Sequence, residues 1–480
     1  MSDGHTSFQD YCGQNISEDK NINMSIKIEI DIRKHIKSLW NKVSTISISH
    51  VLLLSLALHL FVMPIPQDGF IFDEAHYVPA ALKNLQLQPA NAEHPPLTKI
   101  IIALSIGIFG NYWFAWRIPI ILFGLASLYM VYLVAKQFMT EKYALLSTAF
   151  LSFDTMFFVH ASIAILDMPE VFFSLAAIYL FLKKKYYWSS LAFAVAFLCQ
   201  ERTLFFTAFL LIYILFSLPR FIKDKSRKTG SKLTRLAKVI CVSTLIFLTI
   251  AFGGLYIYEV IYKPTKSATV TTIVNQNIVQ DTNGNPITTI TTTFNTTISN
   301  YITNPIDHIQ FALQYYFNLA PAINPSPQDY RPPWSWTLPL VNTLNPPHYL
   351  TVATSTNGGP SKKIVDWVSQ VSFPIAYMFY PMFILCIFNA IKKRERKFSL
   401  FFISWTSGTY LPWLIFGAFI QHMTFNYYFL STTPILAMGV PYFWNSLPFN
   451  NITKKVGLII HLTLTILCFI YYFPVVLIRT

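Results

Sequence analysis

Residues 72–99 read Phe72-Asp73-Glu74-Ala75-His76-Tyr77, then VPAALKNLQLQPANA, then Glu93-His94-Pro95-Pro96-Leu97-Thr98-Lys99. The stretch lies just beyond the first long apolar segment of the chain. Ionisable groups beside a bilayer are costly and are usually kept for function, so the cluster is a candidate site. The plainer alternative is a solvated loop whose charges anchor a helix end. Two features weigh against it: Asp73 and Glu74 sit among apolar and aromatic residues, and the rigid Pro95-Pro96 step follows.

Composition sets the class. Of 480 residues, 53% are hydrophobic and 12% charged, with a mean hydropathy of +0.44. Soluble domains carry about 25% charged residues, so this chain reads as an all-α polytopic membrane protein. The formal charge of +14 would suit nucleic acid. The basic residues, however, fall in short runs between apolar segments, which is the positive-inside pattern, so no nucleic-acid partner is expected. The five cysteines, Cys12, Cys199, Cys241, Cys386 and Cys468, have neither metal-ligand spacing nor the look of a disulfide framework.

Apolar periods predict crossings over 46–65, 114–136, 143–160, 166–183, 187–200, 203–219, 237–260, 371–391, 398–419, 425–444 and 456–476. These make about eleven transmembrane helices, each near the ~20 residues that span the hydrocarbon. With a cytoplasmic N-terminal segment (1–45), five basic runs share one side: Lys136/Lys142, Lys183–Lys185, Arg220 to Lys238, Lys392–Lys397 and Lys454/Lys455. The loop 66–113, the turns 160–166 and 200–203 and the long segment 263–370 then lie together outside. Segment 97–110 is short for a crossing and reads as an interfacial helix. No cleavable signal peptide is visible, and Met24 is an alternative start.

This topology gathers Asp154, Asp167, Arg117 and Arg202 on the outer face with Asp73. A lone ionisable residue at a helix end is often a cap or snorkels, but several converging suggest acids for chemistry and Arg for a phosphate. In the long loop, alternation of Thr/Asn with Ile/Val over 267–299 around Asn283-Gly284 predicts a β-hairpin. Residues 301–350 carry Tyr315, Tyr316, Tyr330, Trp334, Trp336 and Tyr349, suited to stacking on sugar or to an interfacial belt. Asn295-Thr296-Thr297 is an outward glycosylation sequon. Residues 46–262 form the predicted N-terminal module and 371–480 the C-terminal helices.

The FDEAHY and EHPPLTK pair resembles the outer-loop signature of protein O-mannosyltransferases, which use dolichyl-phosphate mannose and belong to the GT-C glycosyltransferases. FAWRIPIILFG (114–124), LSFDTMFFVHASIAILDMPEVFF (151–173), YLPWL (410–414) and FNYYFLSTTPILAM (425–438) extend the resemblance. It implies a GT-C fold, a polyprenyl- or dolichyl-phosphate sugar as donor, and Asp73 as catalytic carboxylate. The chain departs from the pattern where Ser162 replaces an Arg, where Glu201-Arg202-Thr203 replaces a Lys-Trp motif, and in lacking a sugar-binding MIR domain. These departures favour a prokaryotic cell membrane.

The chemistry follows from the residue types. A polyprenyl phosphate leaves readily, whereas an acceptor hydroxyl needs a base beside it, and one carboxylate opposite the phosphate gives inversion. Asp73 is the expected base, with Glu74 in the catalytic pair. His76, Glu93, His94, Asp154 and Asp167 are candidates for binding sugar or acceptor, and Arg202 or Arg117 for the phosphate. The acceptor is a protein or glycolipid hydroxyl. No cofactor is required, and a divalent metal is compatible with so many acids but not demanded. A transporter or flippase is the alternative, but the acids lie at one face and no repeat relates the halves. Single cysteines placed at Lys225 and Lys393 should label from the cytoplasm, and one at Asn283 from outside. Cytoplasmic labelling at Asn283 would overturn the arrangement.

Overall fold

The computed structural model describes residues 45–67, 69–90, 92–223, 229–265, 275–280, 286–291, 301–318, 332–338, 348–353, 366–392, 396–420 and 424–473, with Lys34, Ser38, Trp40 and Arg394. Helix α1 (Ile48–Val62) leads into a two-residue strand β1 (Phe70–Ile71), and α2 (Glu74–Leu85) and α3 (Leu97–Phe109) follow. Next come α4 (Trp113–Ala135), α5 (Glu141–Ser152), α6 (Thr155–His160), α7 (Asp167–Leu182) and α8 (Tyr186–Cys199). Two longer helices, α9 (Thr203–Lys223) and α10 (Thr229–Tyr262), complete the N-terminal half.

After these come β2 (Asn275–Gln280), β3 (Pro286–Thr291), α11 (Pro305–Asn318), β4 (His348–Ala353) and β5 (Asp366–Ser369). The chain ends with α12 (Phe373–Tyr377), α13 (Phe379–Ile391), α14 (Arg396–Ile415), a 3-10 turn (Asn426–Ser431), α15 (Thr433–Ser446) and α16 (Asn451–Tyr471).

The apolar periods thus become helices. Helix α4, at 23 residues, rises roughly 34 Å at 1.5 Å per residue, enough to cross the hydrocarbon. Among the described residues four helices are long and apolar enough to cross a membrane: Trp113–Ala135, Thr234–Tyr262, Phe373–Ile391 and Asn451–Tyr471. Of the other expected crossings, those over 203–219 and 398–419 become the 21-residue α9 and the 20-residue α14, and the rest are shorter or interrupted. The span expected over 143–160 breaks into α5 and α6 because Asp154 ends one helix and caps the next, its Oδ1 accepting from the Phe157 amide at 2.9 Å. The stretch expected as an outer loop, 66–113, holds the two helices α2 and α3.

The hairpin appears as β2 and β3, paired antiparallel from Asn275↔Thr291 to Gln280↔Pro286. The Asn283-Gly284 turn, the Asn295 sequon and Tyr330 lie outside the described residues. A second, three-stranded sheet has the order β1-β4-β5, with Phe70↔Ala353 in one pairing and Leu350↔Trp367 in the other. It joins the start of the acid stretch to the end of the long loop. Helix α11 is fixed to α10 by a buried pair, His308 Nδ1 to Glu259 Oε1 at 3.1 Å. Trp336 is core rather than a sugar platform: it is 1% exposed and packs among Tyr410, Trp413, Tyr428 and Phe429.

Helices α9 and α14 approach closely at Phe209 and Gly408. A Cβ on Gly408 of α14 would stand 2.4 Å from the Phe209 backbone, so α9 and α14 touch where only glycine fits. Gly408→Ala should lower stability by about 1–3 kcal/mol through forced separation. Gly253→Ala, where a Cβ meets nothing within 4 Å, should be near neutral. Melting curves of both variants in detergent check this.

Candidate functional site

The two adjacent carboxylates have opposite surroundings. Glu74 is fully buried and meets Arg117, also fully buried, in a bidentate pair: Nε to Oε1 and Nη2 to Oε2, both at 2.8 Å. The remaining Glu74 lone pairs accept from the amides of Ala164 at 2.7 Å and Ile71 at 2.9 Å. The free nitrogen of Arg117 donates to the carbonyls of Met63 at 2.8 Å and Pro66 at 3.0 Å. Every charge-bearing atom is thereby matched, as a buried ion pair requires. This corrects the expectations for both residues: Glu74 has no capacity left for chemistry, and Arg117 has none for a phosphate.

Asp73 is partly exposed and opens α2, with its backbone carbonyl accepting from the amides of His76 and Tyr77. Its carboxylate makes no hydrogen bond to a described residue. Phe72, just before it, has φ +49°, a left-handed conformation that costs a non-glycine residue about 1–3 kcal/mol. Burial pushes the Asp73 carboxyl above its ordinary value, while His94, then His76, His160 and Arg202, pull it back. His76 itself is exposed.

Opposite Asp73 lies a chain of buried polar groups. Ser369, at the end of β5, meets His160 Nε2 at 2.9 Å, and His160 Nδ1 meets Asp167 Oδ2 at 2.9 Å. Asp167 Oδ1 accepts from Arg202 Nη2, which also donates to Gln200 Oε1 at 2.8 Å. Arg202 is 5% exposed, yet its Nε and Nη1 have no hydrogen-bond partner among the described residues. Its guanidinium lies 5.3 Å from the Tyr428 ring centre and 5.9 Å from that of Tyr427. Its partner is therefore Asp167, not its neighbour Glu201.

Glu201 turns instead to His94, with Oε1 and Nδ1 2.9 Å apart. The His94 carbonyl accepts from Lys99 Nζ at 3.0 Å. The His94 ring meets Tyr77 of α2 and Tyr315 of α11 edge-on, each 6.2 Å between ring centres. Glu93 is buried, and one of its oxygens, Oε2, lacks a partner among the described residues. Burial pushes the Tyr77 phenol well above its ordinary value, and Asp73 and Glu201 push it further.

Of the expected residues, the structure brings Asp73, Glu93, His94, Asp167 and Arg202 together. Asp154 is not among them: it caps α6 and accepts from the Ser372 amide at 2.8 Å, binding two parts of the chain. Ser162, where the resemblance expects an Arg, pairs with His59 Nδ1 at 2.8 Å. Sequence reasoning missed His160, although it stands seven residues before Asp167 in the quoted motif. The tyrosines at 427 and 428 were legible as a motif but not as a wall.

Comparison with known proteins shows a shared fold. The structure is similar to one described as the S. cerevisiae protein O-mannosyltransferase Pmt1-Pmt2 complex bound to the sugar donor, with a TM-score of 0.67 over 89% of each chain at 12% identity. It is also similar to the Archaeoglobus fulgidus oligosaccharyltransferase AglB, with a TM-score of 0.50 at 9% identity, covering 90% of this chain and 56% of that one. No curated protein matches by sequence. These similarities, at 12% and 9% identity, show a shared polytopic membrane fold. Residues 93–248, about a third of the chain, match the family of dolichyl-phosphate-mannose-protein mannosyltransferases.

The structural role of the buried pair is open to test. Arg117→Ala should destabilise the fold by about 3–5 kcal/mol, because it leaves the Glu74 charge buried and unpaired. Arg117→Met combined with Glu74→Leu should recover part of that loss. Folded yield and melting temperature of the two proteins check it.

Proposed function

We propose that the chain transfers a sugar from a polyprenyl- or dolichyl-phosphate donor to a hydroxyl of a protein or glycolipid on the outer face of the membrane. The observation that carries this reading is Arg202. A buried guanidinium, braced by Asp167 and Gln200, keeps two donors unmatched beside a partly exposed carboxylate. Unmatched buried donors cost about 1–3 kcal/mol each, and a phosphate would satisfy both at once. The family match over 93–248 and the similarity to a donor-bound O-mannosyltransferase support the same reading.

Asp73 takes the proton of the acceptor hydroxyl as its oxygen bonds to the anomeric carbon. The bond from that carbon to the phosphate oxygen breaks, and its electron pair stays on the phosphate at Arg202. Attack from the face opposite the phosphate inverts the anomeric centre. The chain enters with its N-terminus on the cytoplasmic side, which puts 66–113 and 263–370 outside. The module 46–262 supplies the site, 263–370 covers it, and 371–480 packs behind it.

The test uses purified protein and radiolabelled dolichyl-phosphate mannose, with lipid release and transfer to a threonine-rich peptide as readouts. Asp73→Asn should lower transfer by about 10²–10⁴-fold at unchanged folded yield. Arg202→Ala should cost about 10²–10³-fold, and Arg202→Lys should keep part of the activity, restoring the charge but not the fork. Near-normal transfer by Asp73→Asn would sink the assignment.

The pH dependence has a defined sign. The base must be ionised, and burial raises the Asp73 carboxyl above its ordinary value of 3.8. Activity should therefore fall as pH drops through that raised value, giving an acid limb above 3.8. The residual activity of Asp73→Asn should lack that limb.

A further inference from the structure

We infer that Ser369, at the end of β5, is a positioning residue that fixes the grip of Arg202 on the donor from two sides, so that the long segment 263–370 anchors that grip. The inference deepens the proposed function and rests on Arg202 holding the donor phosphate.

Two polar groups of Ser369 lead to the guanidinium. The hydroxyl meets His160 Nε2 at 2.9 Å, His160 Nδ1 meets Asp167 Oδ2 at 2.9 Å, and Asp167 Oδ1 accepts from Arg202 Nη2. The Ser369 carbonyl accepts from Asn426 Nδ2 at 3.0 Å. Asn426 opens the 3-10 turn that carries Tyr427 and Tyr428, whose ring centres lie 5.9 and 5.3 Å from the guanidinium. Asn426 Nδ2 also donates to Gln370 Oε1 at 3.1 Å, so the turn is fastened to two consecutive residues. One serine thus supports both the ion pair and the aromatic wall of Arg202.

Hydrogen-bond chemistry orders the first route. A carboxylate accepts, so His160 Nδ1 carries the hydrogen and Nε2 accepts from the Ser369 hydroxyl. Ser369, His160, Asp167 and Asn426 are all buried, and a partner lost there is not replaced by bulk water. Arg202 is aimed by Asp167 and Gln200, and Asp167 in turn by His160. A guanidinium with Nε and Nη1 unmatched presents them in a fixed direction only while these supports hold.

The anchor itself is held by backbone pairing. Ser369 faces His348 of β4, and at the other end of β4 Val352 faces Ile71 of β1. Ladder hydrogen bonds keep the three strands at a fixed spacing, so β5 cannot slide without disturbing the chain that leads into Asp73. Aromatic contacts run the same way: the Tyr427 ring lies 5.5 Å from His160 and 5.8 Å from Phe72, the residue before the carboxylate. The segment that closes the long loop therefore reaches the phosphate grip through side chains and the approach to the base through its sheet.

The experiment titrates full-length protein with dolichyl phosphate and measures donor KM and kcat with dolichyl-phosphate mannose and the same peptide. Ser369→Ala should weaken dolichyl phosphate binding and raise donor KM by about three- to tenfold, the effect of one buried hydrogen bond, with a smaller fall in kcat. Ser404, also buried, bonds the Leu400 carbonyl of its own helix α14 at 2.6 Å, so Ser404→Ala should bind like wild type. Because Ser369 acts through Arg202, Ser369→Ala added to Arg202→Ala should weaken binding no further. His160→Asn keeps an N–H for Asp167 and loses the contact with Ser369, so it should match Ser369→Ala and gives the reading if that variant does not fold. Wild-type affinity in folded Ser369→Ala or His160→Asn overturns the positioning role. So does an equal loss in Ser404→Ala, a loss confined to kcat, or full additivity with Arg202→Ala. No dolichyl phosphate binding by wild type, or wild-type binding by Arg202→Ala, overturns the underlying reading and the inference with it.

Discussion

The fold around the site depends on one buried ion pair. Glu74 and Arg117 join α2 to α4, and their remaining hydrogen bonds reach β1, the chain between α1 and β1, and the turn before α7. Removing two charges from water costs several kcal/mol each, and only a full set of partners repays it. That demand makes the pair a strong positional constraint, because each of the five segments supplies one side of it or one of its hydrogen-bond partners. Its consequence is local strain. With Ile71 tied to Glu74, the chain reaches α2 through Phe72 at φ +49°, and Asp73 is left facing outward without a hydrogen bond to a described residue.

Neighbouring carboxylates thus divide two tasks that sequence alone assigned jointly. Glu74, expected in the catalytic pair, is held in the buried ion pair with Arg117. The proposed base is free because its neighbour is not. A similar division holds between Glu201 and Arg202. Adjacent in the chain, they read as a natural ion pair, but the turn sends one to His94 and the other to Asp167. In a turn at a helix start, adjacent side chains diverge, and each finds its partner across the structure.

Membrane class and helix positions were legible because a ~20-residue apolar run has few other uses. The acid stretch was legible because ionisable groups beside such runs are rare. Polar contacts spanning great sequence distances were not. His160 meets Ser369 across 209 positions and Asp154 meets the Ser372 amide across 218, and no periodicity encodes such pairs. The break at Asp154 was readable in principle, since Asp is a helix N-cap residue. Apolar residues on both sides made 143–160 look continuous. Trp336 failed for a related reason: aromatic content marks a core and a sugar platform alike.

The arrangement of unmatched atoms gives the site a direction. On one side, Arg202 holds Nε and Nη1 without partners, both donors. On the other, Glu93 and Glu201 each hold an Oε2 without a partner, both acceptors. A molecule lying between them meets hydrogen-bond donors at its anionic end and acceptors at its hydroxyl-bearing end. A sugar phosphate has that polarity, with its anion at one end and its hydroxyls at the other. Arg202 and His94 both favour the ionised form of the Asp73 carboxyl. The same polarity disfavours the reverse orientation, which would bring phosphate oxygens against two buried carboxylates and leave the guanidinium facing hydroxyls. In the proposed function electrostatics would orient the donor, and the chain from Ser369 through His160 and Asp167 braces the guanidinium.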